Sequence, residues 1–332
     1  FSNVLWPTSP FLLIGLGIAD IRYTTWLKWS LPLHLLVMMI CIGFLIHLLI
    51  MYGLNARNIF EAPRARVCSP MSDKPFTKSE KRRSTDTRYD LLFEPVKIGP
   101  VQTRNRFYQV PHCTGMGHRY PQSEARLRGI KAEGGWGVVS TQETEIHPTS
   151  DLTPSNQARL WGEQDIPALR LVTEAVHEHG SLAAIQLAHN GLHSSNRYTR
   201  MVPMAPSAVV VDGDDPVQAR MMDKADIAEF RRWHVAAAKR AKEAGFDIIY
   251  AYAGHDMTLL HHFLLARHNQ RSDEYGGSFE NRLRLFREVI ADTKDVVGDT
   301  CAVAVRLAVD ELMGADGLRH EVEGRDIVEA LA

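Results

Sequence analysis

The sequence predicts an α/β fold of the (β/α)8 barrel type (the TIM barrel), with about the first five βα units present. Two observations predict it. Short strands that are apolar nearly throughout alternate with amphipathic helices, which is typical of a parallel sheet covered by helices. Each strand also ends in polar or reactive side chains. Reactive side chains at every strand end favour a barrel over an open doubly wound sheet, in which the reactive side chains lie at one switch point of the strand order.

The composition is that of a globular protein with a core. The chain has 332 residues, of which 45% are hydrophobic and 23% charged, and its net charge is −1. This balance offers no basic surface for nucleic acid, so no nucleic-acid partner is expected. Cys41, Cys68, Cys113 and Cys301 are far apart. Their spacing predicts neither a metal centre nor a disulfide framework.

Residues 1–70 form a hydrophobic N-terminal segment, and residues 31–54 within it contain no charged side chain. That length meets the roughly 20 apolar residues needed to span a membrane, so we predict a candidate transmembrane helix over 31–54. Lys and Arg are more frequent after it than before it, which places the following barrel on the cytoplasmic side of the membrane. The alternative is a natural start at Met71, which gives a cytoplasmic protein without a membrane tether.

Residues 71–88 are polar and read as a linker, and residues 89–332 form the partial barrel. The first strand contains Phe107, Tyr108 and Val110, is ended by Pro111, and delivers Cys113. A helix then ends before Gly134-Gly135, and the second strand covers 136–141.

Three further units follow the same pattern. The second helix starts after Asp165, its expected N-cap, and the third strand covers 182–187. The third helix starts near Asp223, and the strand 247–252 follows Gly245. The fourth helix covers about 281–297, and the strand 302–307 follows Gly298. A fifth helix begins at 325, so we expect about five-eighths of a barrel, cut at its C-terminus.

Three stretches stand out: LLFEPVKIGPVQTRNRF (91–107), KAEGGW (131–136) and NQRSDEYGGSFENR (269–282). They resemble the old yellow enzyme (NADH:flavin oxidoreductase) family, in its trimethylamine, dimethylamine and histamine dehydrogenase branch. The segment 104–113 resembles the flavin-linking segment of that branch. The resemblance implies an FMN site formed by Pro111, His112, Cys113, Gln186 and Arg306.

In this branch the residue matching Cys113 joins the flavin through a thioether, so a covalent FMN is implied. The residue matching Gln186 bonds the pyrimidine edge of the flavin ring, and the one matching Arg306 lies by N1 of the ring. From the residues alone, Gln186 could be a satisfied core amide, and Arg306 could pair with Asp310 or Asp247. An iron–sulfur cluster is expected only in a C-terminal part that this sequence lacks.

The resemblance also implies catalytic roles for Tyr252 and His255, with an Asp from a later strand beyond Ala332. Met257 stands where ene-reductases have a proton-donating Tyr. Glu143 falls where the branch has an aromatic residue of a cation-binding cage, so it is a candidate substrate-binding residue. A carboxylate suits an ammonium that can donate hydrogen bonds; the alternative is that Glu143 pairs with a nearby Arg.

The implied function is FMN-dependent oxidation of a secondary or tertiary N-methyl amine by hydride transfer to flavin. The imine product then hydrolyses, and an electron acceptor such as an electron-transfer flavoprotein reoxidises the enzyme. One alternative is an NAD(P)H-dependent ene- or 2,4-dienoyl reductase of the same family. Another is an inactive truncated fragment. A homo-oligomer is expected.

Overall fold

The computed structural model describes residues 87–152, 157–211 and 218–332, together with Met39, Ile42 and Gly43. The chain divides into two units, Phe1–Arg83 and Ser84–Ala332, and the second contains every element named below. The candidate transmembrane helix 31–54 lies outside the described residues apart from those three positions, and so does most of the linker 71–88. Among the residues described, no helix combines the length and the apolar character needed to cross a membrane.

The described strands alternate with helices for most of the second unit. The strands are β1 (Val96–Ile98), β2 (Val101–Thr103), β3 (Tyr108–Gln109), β4 (Val138–Glu145), β5 (Ala158–Arg159), β6 (Leu182–Ala188), β7 (Met204–Ala205), β8 (Val209–Val210), β9 (Gln218–Met221), β10 (Ile248–Ala253) and β11 (Ala302–Leu307). The α-helices are α1 (Pro121–Glu133), α2 (Ile166–His177), α3 (Lys224–Glu243), α4 (Leu259–Leu264), α5 (Phe279–Val297) and α6 (Arg325–Leu331).

The main sheet is parallel, and its strands pair in the order of the chain: β3, β4, β6, β10, β11. The short strand β5 pairs with β4 beside this path. The register places Ile248 opposite Ala184 and Tyr252 opposite Arg306. Sequential parallel pairing builds the wall of a barrel, whereas a doubly wound sheet reverses its strand order. The predicted α/β class is therefore confirmed, and the sheet has the order of a half-barrel.

Helices cover the outer face of this sheet. Apolar side chains of the helices, among them Leu169, Phe230 and Phe286, form one buried cluster with Ile185 and Ile249 of the strands. These residues recur at helical spacing in α2, α3 and α5, so burial against the sheet supplies most of the helices' stability.

The β1–β2 hairpin covers the other end of the sheet interior. Ile98 and Val101 pack against Val138, Ile248 and Ala302, which are the first residues of their strands. Because this hairpin fills the N-terminal end of the sheet, the polar residues at the C-terminal ends of the strands are left to form a site.

The structure corrects some predicted details. The second strand begins at Val138 rather than at 136 and extends to Glu145. Asp165 precedes α2 as predicted but does not cap it, because its carboxylate accepts from Arg159 Nε (2.9 Å) and Trp161 N (3.0 Å). Asp223 does cap α3 and accepts from Asp226 N at 2.8 Å. Helix α4 and the small sheet of β7, β8 and β9 were not predicted.

Candidate active site

The loop after β3 carries the His-Cys pair and rests on a buried ion pair of α1. Arg128 Nε lies 2.7 Å from Glu124 Oε1, and their side chains are 0% and 5% exposed. Arg128 Nη2 also donates to the backbone oxygen of His112 at 2.9 Å. Cys113 follows directly and is exposed. The buried guanidinium therefore holds the segment that presents the thiol.

The ring of His112 faces donors. Gln109 Nε2 and Arg128 Nη1 lie 2.9 and 3.2 Å from His112 Nδ1. Because a guanidinium can only donate, Nδ1 accepts and the imidazole is neutral. Burial, followed by the charges of Arg128 and Lys131, lowers the pKa of His112 and keeps the ring neutral near pH 7.

The end of the same loop is attached to β4. Thr114 N donates to Gln142 Oε1 at 3.0 Å, and the Thr114 hydroxyl, which lies 3.0 Å from the same oxygen, donates to Glu124 Oε2 at 2.6 Å. The amide nitrogen of Gln142 is buried without a hydrogen-bond partner. A buried donor that lacks a protein partner is suited to a ligand acceptor.

Three of the predicted cofactor residues meet at the ends of β3, β6 and β11. Arg306 Nη1 donates to Gln186 Oε1 at 2.9 Å and to the backbone oxygen of Pro111 at 3.4 Å. The alternative ion pairs of Arg306 are not formed: Asp310 contacts His320, and Asp247 contacts His177. The guanidinium of Arg306 is therefore not paired with either of these carboxylates.

Tyr252 and His255, the two candidate catalytic residues, are in direct contact. The hydroxyl of Tyr252 forms a hydrogen bond with His255 Nδ1. The guanidinium carbon of Arg306 lies 5.2 Å from the centre of the Tyr252 ring. Burial raises the pKa of Tyr252, and the charge of Glu143 raises it further. Burial and then Arg306 lower the pKa of His255. At neutral pH the pair is a protonated phenol beside a neutral imidazole.

Glu143 lies on β4 opposite Gln186 of β6. Its side chain is buried, and Oε1 has no hydrogen-bond partner. Burial raises the pKa of Glu143 to about 7, and the neighbouring Asn190 and Arg306 offset this only in part. No ion pair joins Glu143 to an arginine in the described part of the chain, so the predicted alternative of a structural Arg partner is not seen there.

These residues fit the polar edge of a flavin ring, which has hydrogen-bond donors and acceptors side by side. Gln186 offers an amide and Arg306 a guanidinium at the ends of two strands. The unpaired Gln142 amide nitrogen on the neighbouring strand β4 adds a further donor. Buried polar groups of this kind are satisfied when a polar ligand is bound.

Histidine and acidic side chains also gather behind the Tyr252–His255 pair. Among the described residues, two overlapping groups have the spacing of metal ligands: His193 with Asp256 and His262, and Asp256 with His261 and Glu311. Hydrogen bonds argue against a metal in the second group, whereas in the first they leave His262 Nδ1 with an unshared lone pair. His261 Nδ1 accepts from Asp256 N (3.0 Å), and His262 Nε2 donates to the oxygen of Asp256 (2.9 Å). A neutral histidine has one lone pair, so His261 has none left for an ion.

Sequence reasoning missed two residues of this site. Arg128 could have been suspected from its spacing of four residues from Glu124 on a helix. Asp256 follows His255 in a turn that no periodicity identifies. Arg128 contacts both the ring and the backbone oxygen of His112, and Asp256 is the chain neighbour of His255.

A model of the NADH:flavin oxidoreductase / NADH oxidase family matches residues 91–331. The chain is 38% identical over 250 residues to dimethylamine dehydrogenase of Hyphomicrobium sp. (strain x), which covers 74% of this chain and 34% of that protein. NADPH dehydrogenase of Bacillus subtilis (strain 168) is 34% identical over 215 residues, covering 62% of this chain and 60% of that protein.

Solved structures give the same picture. Histamine dehydrogenase from Rhizobium sp. 4-9 is 55% identical with a TM-score of 0.66, covering 67% of this chain and 34% of that one. The 6-hydroxypseudooxynicotine amine oxidase of Pseudomonas geniculata N1 is 51% identical with a TM-score of 0.72, covering 74% and 37%. The chain spans about a third of the length of these amine-oxidising relatives.

Proposed function

Because the chain belongs to the NADH:flavin oxidoreductase / NADH oxidase family, we propose that it forms the FMN-binding part of an oxidoreductase that oxidises a secondary or tertiary N-methyl amine. The cluster of Gln186, Arg306 and Tyr252 carries this proposal. It places an amide, a guanidinium and a phenol at the ends of successive strands. The bound FMN supplies the hydride acceptor, and the chain supplies binding, orientation and charge.

Pro111, His112, Cys113, Gln186 and Arg306 are the proposed cofactor residues. Gln186 would bond the pyrimidine edge of the ring, and the positive charge of Arg306 would lie by N1. Cys113 would hold the ring through a thioether. Its exposed position next to a neutral His112, which is fixed by Arg128, supports this role.

On the substrate side, Tyr252 and His255 are the proposed catalytic residues and Glu143 the proposed substrate-binding residue. The unpaired Glu143 oxygen can accept a hydrogen bond from an ammonium N–H. Tyr252 and His255 together offer one proton that can be held at the phenol or at the imidazole. Four further proposals rest on the sequence. They are an iron–sulfur cluster elsewhere in the protein, an electron-transfer flavoprotein as electron acceptor, a homo-oligomer, and a cytoplasmic location with a membrane tether.

The cofactor proposal is tested by denaturing the FMN-loaded protein. We expect the yellow chromophore to stay with the polypeptide, and the variant Cys113→Ala to release FMN under the same conditions. Cys301→Ser is the matched control, because Cys301 is buried and bonded to the oxygen of Phe246 away from the site. Release of FMN from the wild-type protein by denaturant contradicts the covalent linkage.

The substrate proposal is tested by anaerobic stopped-flow reduction with a panel of amines. We expect bleaching by secondary or functionalised N-methyl amines and a weak response to trimethylamine. Glu143→Tyr should shift preference towards the tertiary amine by about ten- to a hundredfold, the value of one charge-assisted hydrogen bond.

A second candidate is an NAD(P)H-dependent ene- or 2,4-dienoyl reductase, which the similarity to NADPH dehydrogenase favours. Met257 speaks against it, since this position carries the proton donor in the reductases that the sequence resembles. Fast flavin reduction by NADPH, with no response to any amine, would assign the chain to this second function.

A further inference from the structure

The turn that follows β10 is held in an unusual backbone conformation. His255 and Asp256 have φ values of +59° and +53°. Residues other than glycine rarely adopt this left-handed backbone conformation. Two such residues in succession persist only where the surrounding structure holds them. His255 is the residue whose ring contacts Tyr252, so whatever holds this turn also aims His255.

Asp256 is bonded at its backbone nitrogen, its backbone oxygen and both carboxylate oxygens. His261 Nδ1 receives its N–H (3.0 Å), and His262 Nε2 donates to its carbonyl (2.9 Å). His268 Nε2 lies 2.9 and 3.1 Å from the two carboxylate oxygens. Arg267 Nη2 lies 3.2 Å from Oδ2. Four side chains from α4 and the loop after it therefore hold one residue.

Arg267 also contacts the loop that follows the next strand of the sheet. Its two terminal nitrogens donate to the two oxygens of Glu311 at 2.7 and 2.8 Å. Glu311 Oε2 also accepts from Leu318 N at 2.9 Å. The loop that contains Glu311 follows β11, the strand that carries Arg306. The guanidinium of Arg267 thus connects the turn after β10 to the loop after β11.

We propose that Asp256 is a positioning residue of the site, which uses its anchored carboxylate and backbone to keep His255 Nδ1 on the Tyr252 hydroxyl. Asp256 reaches the substrate only through His255. The role does not depend on which substrate the enzyme uses, because it concerns the geometry of two side chains of this chain.

Three substitutions separate anchoring from backbone strain. Asp256→Asn keeps a side chain that tolerates the left-handed region and can accept from His268. Asp256→Gly keeps the backbone conformation but removes the carboxylate, and with it the contacts to His268 and Arg267. Asp256→Ala removes the anchor and disfavours the conformation. Asp326→Asn is the control, since Asp326 lies far along the chain in α6, where its half-exposed carboxylate pairs with the neighbouring Arg325.

The first measurement is the 15N NMR spectrum of the imidazole of His255, identified by its loss in His255→Asn. We expect a single tautomer in wild type, with Nδ1 accepting and Nε2 protonated, and the same in Asp256→Asn and Asp326→Asn. Asp256→Gly and Asp256→Ala should show tautomer-averaged nitrogens. If Asp256→Gly keeps the wild-type signals, the anchor is unnecessary and the proposal is wrong.

The second measurement is the rate of flavin reduction by whichever donor reduces the FMN-loaded protein. Asp256→Gly should slow it by up to about a hundredfold, the usual cost of a displaced reacting group, with FMN content unchanged. Asp256→Asn should restore most of the rate. An equal loss in Asp256→Asn and Asp256→Gly would overturn the proposal. The NMR measurement does not depend on the substrate. The proposed role of Asp256 can therefore be tested even if the amine proposal is wrong.

Discussion

The end of β4 and the turn after β10 each bring a carboxylate to the candidate site, and they treat it in opposite ways. Glu143 is only 8% exposed, and one of its oxygens has no partner. Asp256 is bonded through both carboxylate oxygens and through its backbone. A buried group without a protein partner is available to a ligand, whereas a fully bonded group fixes the chain around it.

The same contrast appears in the pKa values. Burial raises the pKa of Glu143 to about 7. Burial also acts to raise the pKa of Asp256, but the hydrogen bond from His268 and the neighbouring His262 and Arg267 outweigh it and hold the pKa well below its usual range. Partners, rather than burial alone, decide whether a carboxylate near this site is charged at pH 7.

The largest expected effect comes from a third carboxylate, Glu124, which is buried and paired with Arg128. Arg128→Met leaves this buried carboxylate without its ion-pair partner, so the free energy of unfolding should fall by about 3–5 kcal/mol. Urea unfolding at pH 7 measures it. The double variant Glu124→Gln/Arg128→Met should recover part of the loss. If Arg128→Met is as stable as wild type, the ion pair does not stabilise the buried carboxylate of Glu124, and the contrast between paired and unpaired carboxylates is wrong.

Glu143 should show the opposite behaviour, because it is buried without a pair. Its pKa rises from 4.5 to about 7 on folding. Its contribution to stability is therefore fully present below pH 4.5 and is lost as the pH rises through 7. Glu143→Gln lacks this loss. Between pH 4.5 and 8, the free energy of unfolding of Glu143→Gln should therefore rise relative to that of wild type by up to about 3 kcal/mol.

Urea unfolding of the flavin-free protein at pH 4.5, 6 and 8 measures this change. The exposed Glu178 supplies the control, since Glu178→Gln should follow the wild-type pH dependence. A Glu143→Gln profile parallel to wild type would mean that Glu143 is paired or solvated in solution, and the comparison with Asp256 would fail.

The smallest expected effect belongs to an exposed pair, His177 and Asp247, whose side chains are 41% and 24% exposed. The hydrogen bond with Asp247 raises the pKa of His177. The stability it contributes is present below the ordinary histidine pKa of 6.5 and is lost as the pH rises through the raised value. His177→Gln should remove this pH dependence, which amounts to less than about 1 kcal/mol because solvent screens the pair. Thermal unfolding between pH 5.5 and 8.5 checks it, and a larger effect would show that exposure does not weaken pairing here.

The sequence predicted most of the sheet because each strand is an apolar run between a helix and a polar end. The last strand was predicted at both of its bounds, Ala302–Leu307. The sequence placed Gln186 and Arg306 near the ends of parallel strands, which finish at one edge of a sheet, but their hydrogen bond with each other was not predicted. Asp256 was not predicted, because its role depends on a left-handed turn and on the short helix α4. Neither leaves a periodic pattern, and the partners of Asp256 are set by the tertiary fold.

The β1–β2 hairpin bears on the order in which the chain folds. The strands of the main sheet pair in the order of the chain, but Ile98 packs against Ala302 from almost the far end of the described sequence. Closing so long a loop is entropically unfavourable until the intervening strands have paired. We therefore expect the hairpin to dock last, so that a destabilised hairpin would speed unfolding while leaving the rate of refolding nearly unchanged.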